Sequence, residues 1–485
     1  GWVVGLYGAG PAEVSVPVGV EGIAAYALGG QYDLERVVLP ESLKFIGKDA
    51  FAGCTSLEGL DLPEGCGRID GGAFRDCTWI QEVSLASGLT NIGAAAFANC
   101  AGLSVRSAPE GLKAMGEGAF SNCWRMVSAS LPVSLDEVGE NCFWNCKNLS
   151  GVTVPTHVQP LKTMFPAAYD ALTSIVIAEG EDDLVEGVFE GCAAVREIVL
   201  PDAVTEIPAA AFRDCVSLER MAFPAAVKEI GDEAFAGCVG LTRLNLPAGL
   251  EAIGARAFEG LSELEQVAIP DGVTAIGSGA FAGCGAVRQV RLPGNVTTLA
   301  AAFPDAYKKI VRAEVPEGTM ELIAGLFDGC ATLESFAIPA SVTDIGARAF
   351  AGCGALKAVA LPQGLKTIGE GAFSGVSGIL ELEIPSSVES LGAGAFTGCA
   401  ALRSVTLPGD AGTLADIFPD AYEAMVSVTV TEGAETLNDG FFAGCVSLKT
   451  VELPTSVAVI GAGAFEDCTS LASIGIPAGV TSPGA

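Results

Sequence analysis

The sequence is nearly without histidine: His157 is the only one in 485 residues. A Ser-His-Asp triad, a Cys-His dyad or a His-rich metal site would each have to use it. It sits in Thr156-His157-Val158-Gln159-Pro160, which reads as a solvated turn. Basic residues are scarce as well. Lys and Arg number 26 against 58 Asp and Glu, for a net charge of −32. That balance argues against nucleic acid and anionic membrane surfaces as partners. Only 17% of residues are charged and half are hydrophobic, which is not the composition of a disordered chain. No apolar run approaches the ~18 residues of a membrane span. The first residues, Gly1-Trp2-Val3-Val4, carry no basic n-region, so no secretory leader is expected among them.

What is present is a repeat. Phenylalanines recur at 51, 74, 97, 120 and 143, at 189, 212, 235, 258 and 281, at 327, 350, 373 and 396, and at 442 and 465. The step is 23, and the gaps between groups are 46. With Phe as position zero, Cys follows at +3 in 14 of these 16 repeats, the exceptions being Leu261 and Val376. Position +6 is apolar, +9 and +11 are mostly Val, Leu or Ile, and Pro stands at +12 in 15 of 16. Ile or Leu with Gly usually follows at +18 and +19, as in Ile253-Gly254-Ala255-Arg256-Ala257-Phe258. The frame extends from Val14 to Ile474. Alternation over +6 to +11 predicts a strand with one face buried, paired in parallel with its equivalent one turn along. Pro at +12 ends it. The apolar spacing of three around Phe and Cys predicts a single helical or 3₁₀ turn. Stacking on neighbours buries what one coil cannot.

The unit Cys-x-x-Leu-x-x-Val-x-Leu-Pro-x-x-Val-x-x-Ile-Gly-x-x-Ala-Phe resembles the Treponema-type leucine-rich repeat of BspA-like bacterial surface proteins. The resemblance covers nearly the whole chain. It implies an α/β repeat solenoid, a right-handed leucine-rich-repeat horseshoe with a concave parallel β-sheet and short helical or 3₁₀ turns on the outer side. It also implies a secreted or cell-surface location and binding to host or neighbouring-cell proteins. The expected organisation is a single solenoid over residues 1–485, of about 21 coils of 23 residues. The tail Pro477–Ala485 reads as a repeat cut short, without the polar cap terminal repeats normally carry.

Three units depart from the pattern in the same way: Phe165-Pro166-Ala167-Ala168-Tyr169, Phe303-Pro304-Asp305-Ala306-Tyr307 and Phe418-Pro419-Asp420-Ala421-Tyr422. Pro takes position zero, Phe moves back by one, and Tyr replaces Cys. They read either as bend or docking points marking blocks of the solenoid or as a compensated core swap with the phenol reaching a carbonyl or solvent. The sixteen cysteines fall mostly on one repeat position, without any Cys-x-x-Cys. They read as a buried ladder of small hydrophobes rather than a disulfide framework or metal site.

The exposed strand face, at +7, +8 and +10, is the candidate binding surface. Early strands present Ser84, Ser107, Ser130 and Thr153; the middle presents Arg196, Arg220, Arg243, Arg288 and Arg291, near Glu197, Glu219 and Glu265. These arginines read as a site for an acidic protein loop or acidic glycan, or as cross-strand pairs that solubilise the face. Trp79, Trp124 and Trp144 lie outside the consensus core positions and are secondary candidates. The Gly-x-Gly fragments at 369–371 and 392–394 belong to the repeat. Glu181, Asp182 and Asp183 read as a solvated turn. No cofactor, metal or catalytic set is expected. The expected function is a non-enzymatic binding scaffold, secreted or on the cell surface. Its ligand would be a host extracellular-matrix or plasma protein, or an acidic glycan. The alternative is a structural or intracellular interaction scaffold.

Overall fold

A computed structural model of the chain describes residues 1–5, 10–105 and 107–482; the last three residues of the tail lie outside them. The chain divides into two compact units, Gly1–Leu241 and Thr242–Ala485. Both are built from stacked coils joined by parallel ladders, with neighbouring coils in a 23-residue register except at the first pair, where Trp2 lies opposite Gly22.

Most regular coils contribute two strands. The first lies at +8 to +10, as the alternation predicts. In the first unit Gly59–Asp61 pairs with Glu82–Ser84, Ser128–Ser130 with Gly151–Val154 and Ser174–Ile177, and Glu197–Val199 with Arg220–Ala222. In the second unit the ladders are Gln266–Ala268, Gln289–Arg291 and Arg312–Glu314, then Glu381–Glu383 through Ser404–Leu407 and Ser427–Val430 to Thr450–Glu452. Around Leu244 and Val359 the coil keeps its path, with both side chains buried, but no strand forms.

The second strand, at +17 and +18, is only two residues long. In the first unit seven such strands run in order from Trp2–Val3 to Glu137–Val138. In the second, Glu321–Leu322, Asp344–Ile345, Thr367–Ile368 and Ser390–Leu391 form another row. Where glycine follows at +19, it lies close against the coil before; Asp70 and Pro208 stand there in two regular coils. A Cβ on Gly116 would stand 2.3 Å from the Ala94 nitrogen, and one on Gly277 2.2 Å from the Ala255 nitrogen. Neither distance is open to a real side chain.

Between the strands the regular coils form successive turns rather than the expected helical turn. Bonds such as Cys54 N–H to Phe51 carbonyl (3.1 Å) and Leu57 N–H to Cys54 carbonyl (3.1 Å) close them. Left-handed residues on both sides of the Phe stop a helix from propagating. They are Asp49 and Gly53 around Phe51, and Ala95 and Asn99 around Phe97. The residue at +2 is Gly, Asn or Asp in all sixteen regular repeats, the types that tolerate this conformation.

The core is a ladder of rings. Phe51, Phe74, Phe97 and Phe120 stack at centroid distances of 5.1, 5.2 and 5.3 Å, within 8° of parallel. In the second unit Phe350, Phe373 and Phe396 repeat this at 5.1 and 5.4 Å. Beside the rings run the thiols, and they are more than small hydrophobes. Where the preceding coil is regular, the +3 thiol donates to its position-zero carbonyl. Cys77 reaches Phe51 at 3.2 Å, Cys100 reaches Phe74 at 3.1 Å, Cys215 reaches Phe189 at 3.1 Å and Cys353 reaches Phe327 at 3.3 Å. Burial pushes Cys54 up to about 11 and Cys100 and Cys284 up to about 12, so the thiols stay protonated donors at neutral pH.

The three irregular coils differ by more than a ring exchange. Where the second strand should stand, each has one helical turn: α1 (Leu161–Met164), α2 (Leu299–Ala302) and α3 (Leu414–Ile417). Thr298 and Thr413 cap α2 and α3 through their hydroxyls. The helix-forming runs Leu-Ala-Ala-Ala and Leu-Ala-Asp-Ile propagate the turn, and the residue before proline ends it. The rows of two-residue strands break at these turns. Tyr169 is buried and its hydroxyl donates to the Glu190 carbonyl. The rings of Tyr307 and Tyr422 pack over the next coil's glycines, Gly329 and Gly444.

The turn around His157 is not merely solvated. Glu181 is 3% exposed. Its carboxylate accepts from the Thr156 N–H and hydroxyl, both at 2.9 Å, and from the His157 N–H at 3.2 Å, and it meets His157 Nδ1 at 2.8 Å. A buried carboxylate needs such donors, and the reading of Glu181 as a solvated acid is corrected here.

Candidate functional site

The outward side of the first strands carries the candidate site. Alternation sends +9 inward and +8 and +10 outward, so the outward side chains repeat at strand spacing, ~4.8 Å per coil. In the first unit Glu197 lies opposite Arg220 in the ladder. Arg196 instead reaches Glu219, at 3.0 Å, with both side chains more than half exposed. That is the solubilising cross-strand pair, of small energetic weight. Arg220 is exposed and makes no ion pair among the described residues.

The second unit holds a surface groove of about 300 Å³ on this face. Its +8 row is Arg243, Gln266, Gln289 and Arg312, one per successive coil; Asn245, Ala268, Arg291 and Glu314 form the +10 row. Arg291 is half-buried and ion-paired with Asp271. That hydrogen bond raises its already high pKa. Arg243 and Arg312 are exposed and have no ion pair among the described residues. The Arg288 side chain forms no ion pair with Glu265, although its backbone N–H donates to the Glu265 carbonyl at 2.9 Å. It folds back on the Gly285 and Val287 carbonyls, 2.9 Å each, and stands outside the groove lining. Of the five arginines singled out from sequence, the structure therefore gathers Arg243 and Arg291 into one groove. Arg196 and Arg220 belong to the first unit.

Arg312, Gln266 and Gln289 were missed. The signal was there: counting Pro304 as position zero puts Arg312 at +8. The displaced Phe303 hides that frame.

Trp79, Trp124 and Trp144 are 59, 51 and 49% exposed. They accompany an amide ladder on the same coils. Asn99 donates to Asp76 at 2.7 Å, Asn122 to Asn99 at 2.6 Å and Asn145 to Asn122 at 2.6 Å. Among the described residues, no three His, Cys, Asp or Glu side chains gather as metal ligands. Nor is any helix among them long and apolar enough to cross a membrane.

The sequence profile of the BspA type leucine rich repeat region matches residues 10–107, 80–195, 182–310, 321–427 and 415–485. The chain belongs to this family. The BspA-type repeat thus accounts for the 23-residue coil. Leucine-rich repeats are generally protein-interaction scaffolds and typically non-enzymatic. Among solved structures, the chain is similar to a leucine-rich repeat protein from Bacteroides ovatus, at 24% identity over 76% of this chain and 82% of that one, with a TM-score of 0.33. It is similar to a leucine-rich repeat protein from Eubacterium ventriosum, at 20% identity over 84% and 81%, TM-score 0.30. A leucine rich cell surface protein from Faecalibacterium prausnitzii shares 17% identity over 96% and 92%, TM-score 0.23. A comparison with curated proteins finds no match.

Proposed function

We propose that this BspA-type chain is a non-enzymatic binding scaffold, secreted or displayed on a bacterial surface. It holds a host or neighbouring-cell protein against the outward side of its first strands. In this reading each unit is a right-handed leucine-rich-repeat arc with that sheet on its concave side. The observation that carries the reading is the groove across four coils of the second unit, where polar side chains stand in rows at fixed spacing. Rows of this kind offer a large, rigid and pre-organised surface at little entropic cost. Arg196 and Arg220 offer a second patch of the same face, and the three exposed tryptophans a third.

The sixteen free thiols favour a second reading, a scaffold in a reducing compartment. Binding decides between them. The purified chain is screened against extracellular-matrix proteins, plasma proteins and acidic glycans, with an Arg196→Glu/Arg220→Glu variant and an Arg243→Glu/Arg312→Glu variant alongside. Saturable binding of an extracellular protein, lost in either variant, is the expected result. No binding to any extracellular target overturns the surface reading.

A further inference from the structure

The groove has a chemistry of its own. Its two free cations stand at the ends of one row, Arg243 and Arg312, with Gln266 and Gln289 between them. In a chain with 58 acidic and 26 basic residues, two exposed guanidiniums that make no ion pair among the described residues share one groove row. Within the groove Arg291 has Asp271, and in the first unit Arg196 has Glu219 while Arg220 has no ion pair among the described residues.

The ends of the row are three coil steps apart, about 14 Å at strand spacing. An extended peptide rises ~3.4 Å per residue and returns a side chain to the same face every second residue. Residues i and i+4 therefore lie on one face about 14 Å apart. The amides of Gln266 and Gln289 supply donors and acceptors at each intervening step, as a passing backbone requires. Glu314, exposed on the +10 row beside Arg312, repels acid placed there. It confines carboxylates to the +8 row.

We propose that the groove binds an extended acidic peptide segment lying along the stack, with carboxylates at i and i+4 seated on Arg243 and Arg312. This rests on the outward strand face being the binding surface, and names the class of segment it takes.

The test uses the full chain and a fluorescent peptide, acetyl-Thr-Glu-Thr-Ser-Thr-Glu-Thr-amide. Its controls carry Gln for both Glu, or Glu at i and i+3. The i, i+4 peptide is expected to bind, and to weaken about tenfold with either Arg243→Gln or Arg312→Gln and with added salt. The Gln peptide is expected not to bind. Both arginines are exposed, so these variants should melt like the parent. If one did not, Gln266→Glu/Gln289→Glu supplies the same test by repulsion. Equal binding of the i, i+3 peptide, unchanged affinity in all variants, or tighter binding of heparin than of the peptide would overturn the proposal. So would self-association abolished by the same variants, since the groove's occupant would then be a second copy. A protein partner that binds unaffected by Arg243→Gln and Arg312→Gln leaves the scaffold reading standing and removes this one.

Discussion

The regular and irregular coils solve one packing problem with different chemistry. In a regular coil a two-residue strand leads into a glycine, then a Phe, then a thiol bonded to the carbonyl of the coil before. In an irregular coil a capped helical turn replaces the strand, the Phe steps back, and a tyrosine ring covers the next coil's glycine. The consequence reaches one coil further. Cys192, Cys330 and Cys445 follow irregular coils, and the carbonyl each should meet belongs to Pro166, Pro304 or Pro419. None of the three makes the thiol–carbonyl bond that their regular counterparts make. Cys192 meets the Tyr169 hydroxyl instead. A repeat position is therefore defined by what the preceding coil offers, as much as by its own residue.

The sharpest test of that difference lies at +19. Gly277 stands there in a regular coil and Ala300 in an irregular one. Gly277→Ala drives a methyl into the Ala255 backbone, 2.2 Å away. It should cost about 3 kcal/mol, at the upper end of overpacking. Ala300→Gly should cost about 1 kcal/mol, because Ala300 sits inside α2 and glycine weakens a helix. Denaturant melts and local hydrogen exchange read both. If Gly277→Ala is neutral, the two coil types do not differ at this position.

The thiols give a second, smaller contrast. Cys100→Ala removes a buried sulfur and leaves the Phe74 carbonyl with only the Cys77 N–H, at 3.3 Å. Cys330→Ala removes only the sulfur. The first should cost about 1 kcal/mol more, and Cys100→Ser should recover part of the difference. Both thiols are raised by burial, Cys100 to about 12. An unfolded thiol ionises near about 8.5. Below that pH both states are protonated and the stability is fully present. Above it the unfolded chain loses protons that the folded chain keeps, so stability falls as pH rises, until pH passes about 12. Melts at pH 7 and pH 10 should show Cys100→Ala less sensitive to alkali than the parent. Equal sensitivity would mean the ladder does not hold its protons.

Much of this was legible in the sequence because the repeat writes each core position many times. Phe, Cys, Pro and the alternating strand announce stacked parallel coils without any single motif. The second strand was not legible, since two residues are too few to show alternation. The Gly, Asn or Asp at +2 was visible in every regular repeat, but its meaning is a backbone angle and not a burial pattern. The Glu181 cluster joins residues 24 and 25 apart in sequence, beyond any local signal. For the site, Arg243 and Arg291 were found by register. Arg312 was hidden by the frame shift of its irregular coil. Which arginines are already paired depended on side-chain geometry that register alone does not carry.

The smallest expected effect separates the irregular coils from one another. Thr298 and Thr413 cap their helical turns, with hydroxyls accepting from Ala301 and Asp416 N–H at 3.2 Å each. The equivalent residue before α1 is Pro160, which provides no side-chain cap. Thr298→Ala should therefore cost about 1 kcal/mol or less, the usual weight of an exposed cap. Replacing Pro160 by Ala should cost α1 no hydrogen bond at all. Hydrogen exchange at the Ala301 N–H, compared with Met164 N–H in the Pro160 variant, reads the two turns separately. Faster exchange at Ala301 alone would show that α2 depends on its cap, whereas α1 rests on the burial of Leu161 and Met164. Equal loss in both would mean that all three turns are held by packing, with the threonines incidental.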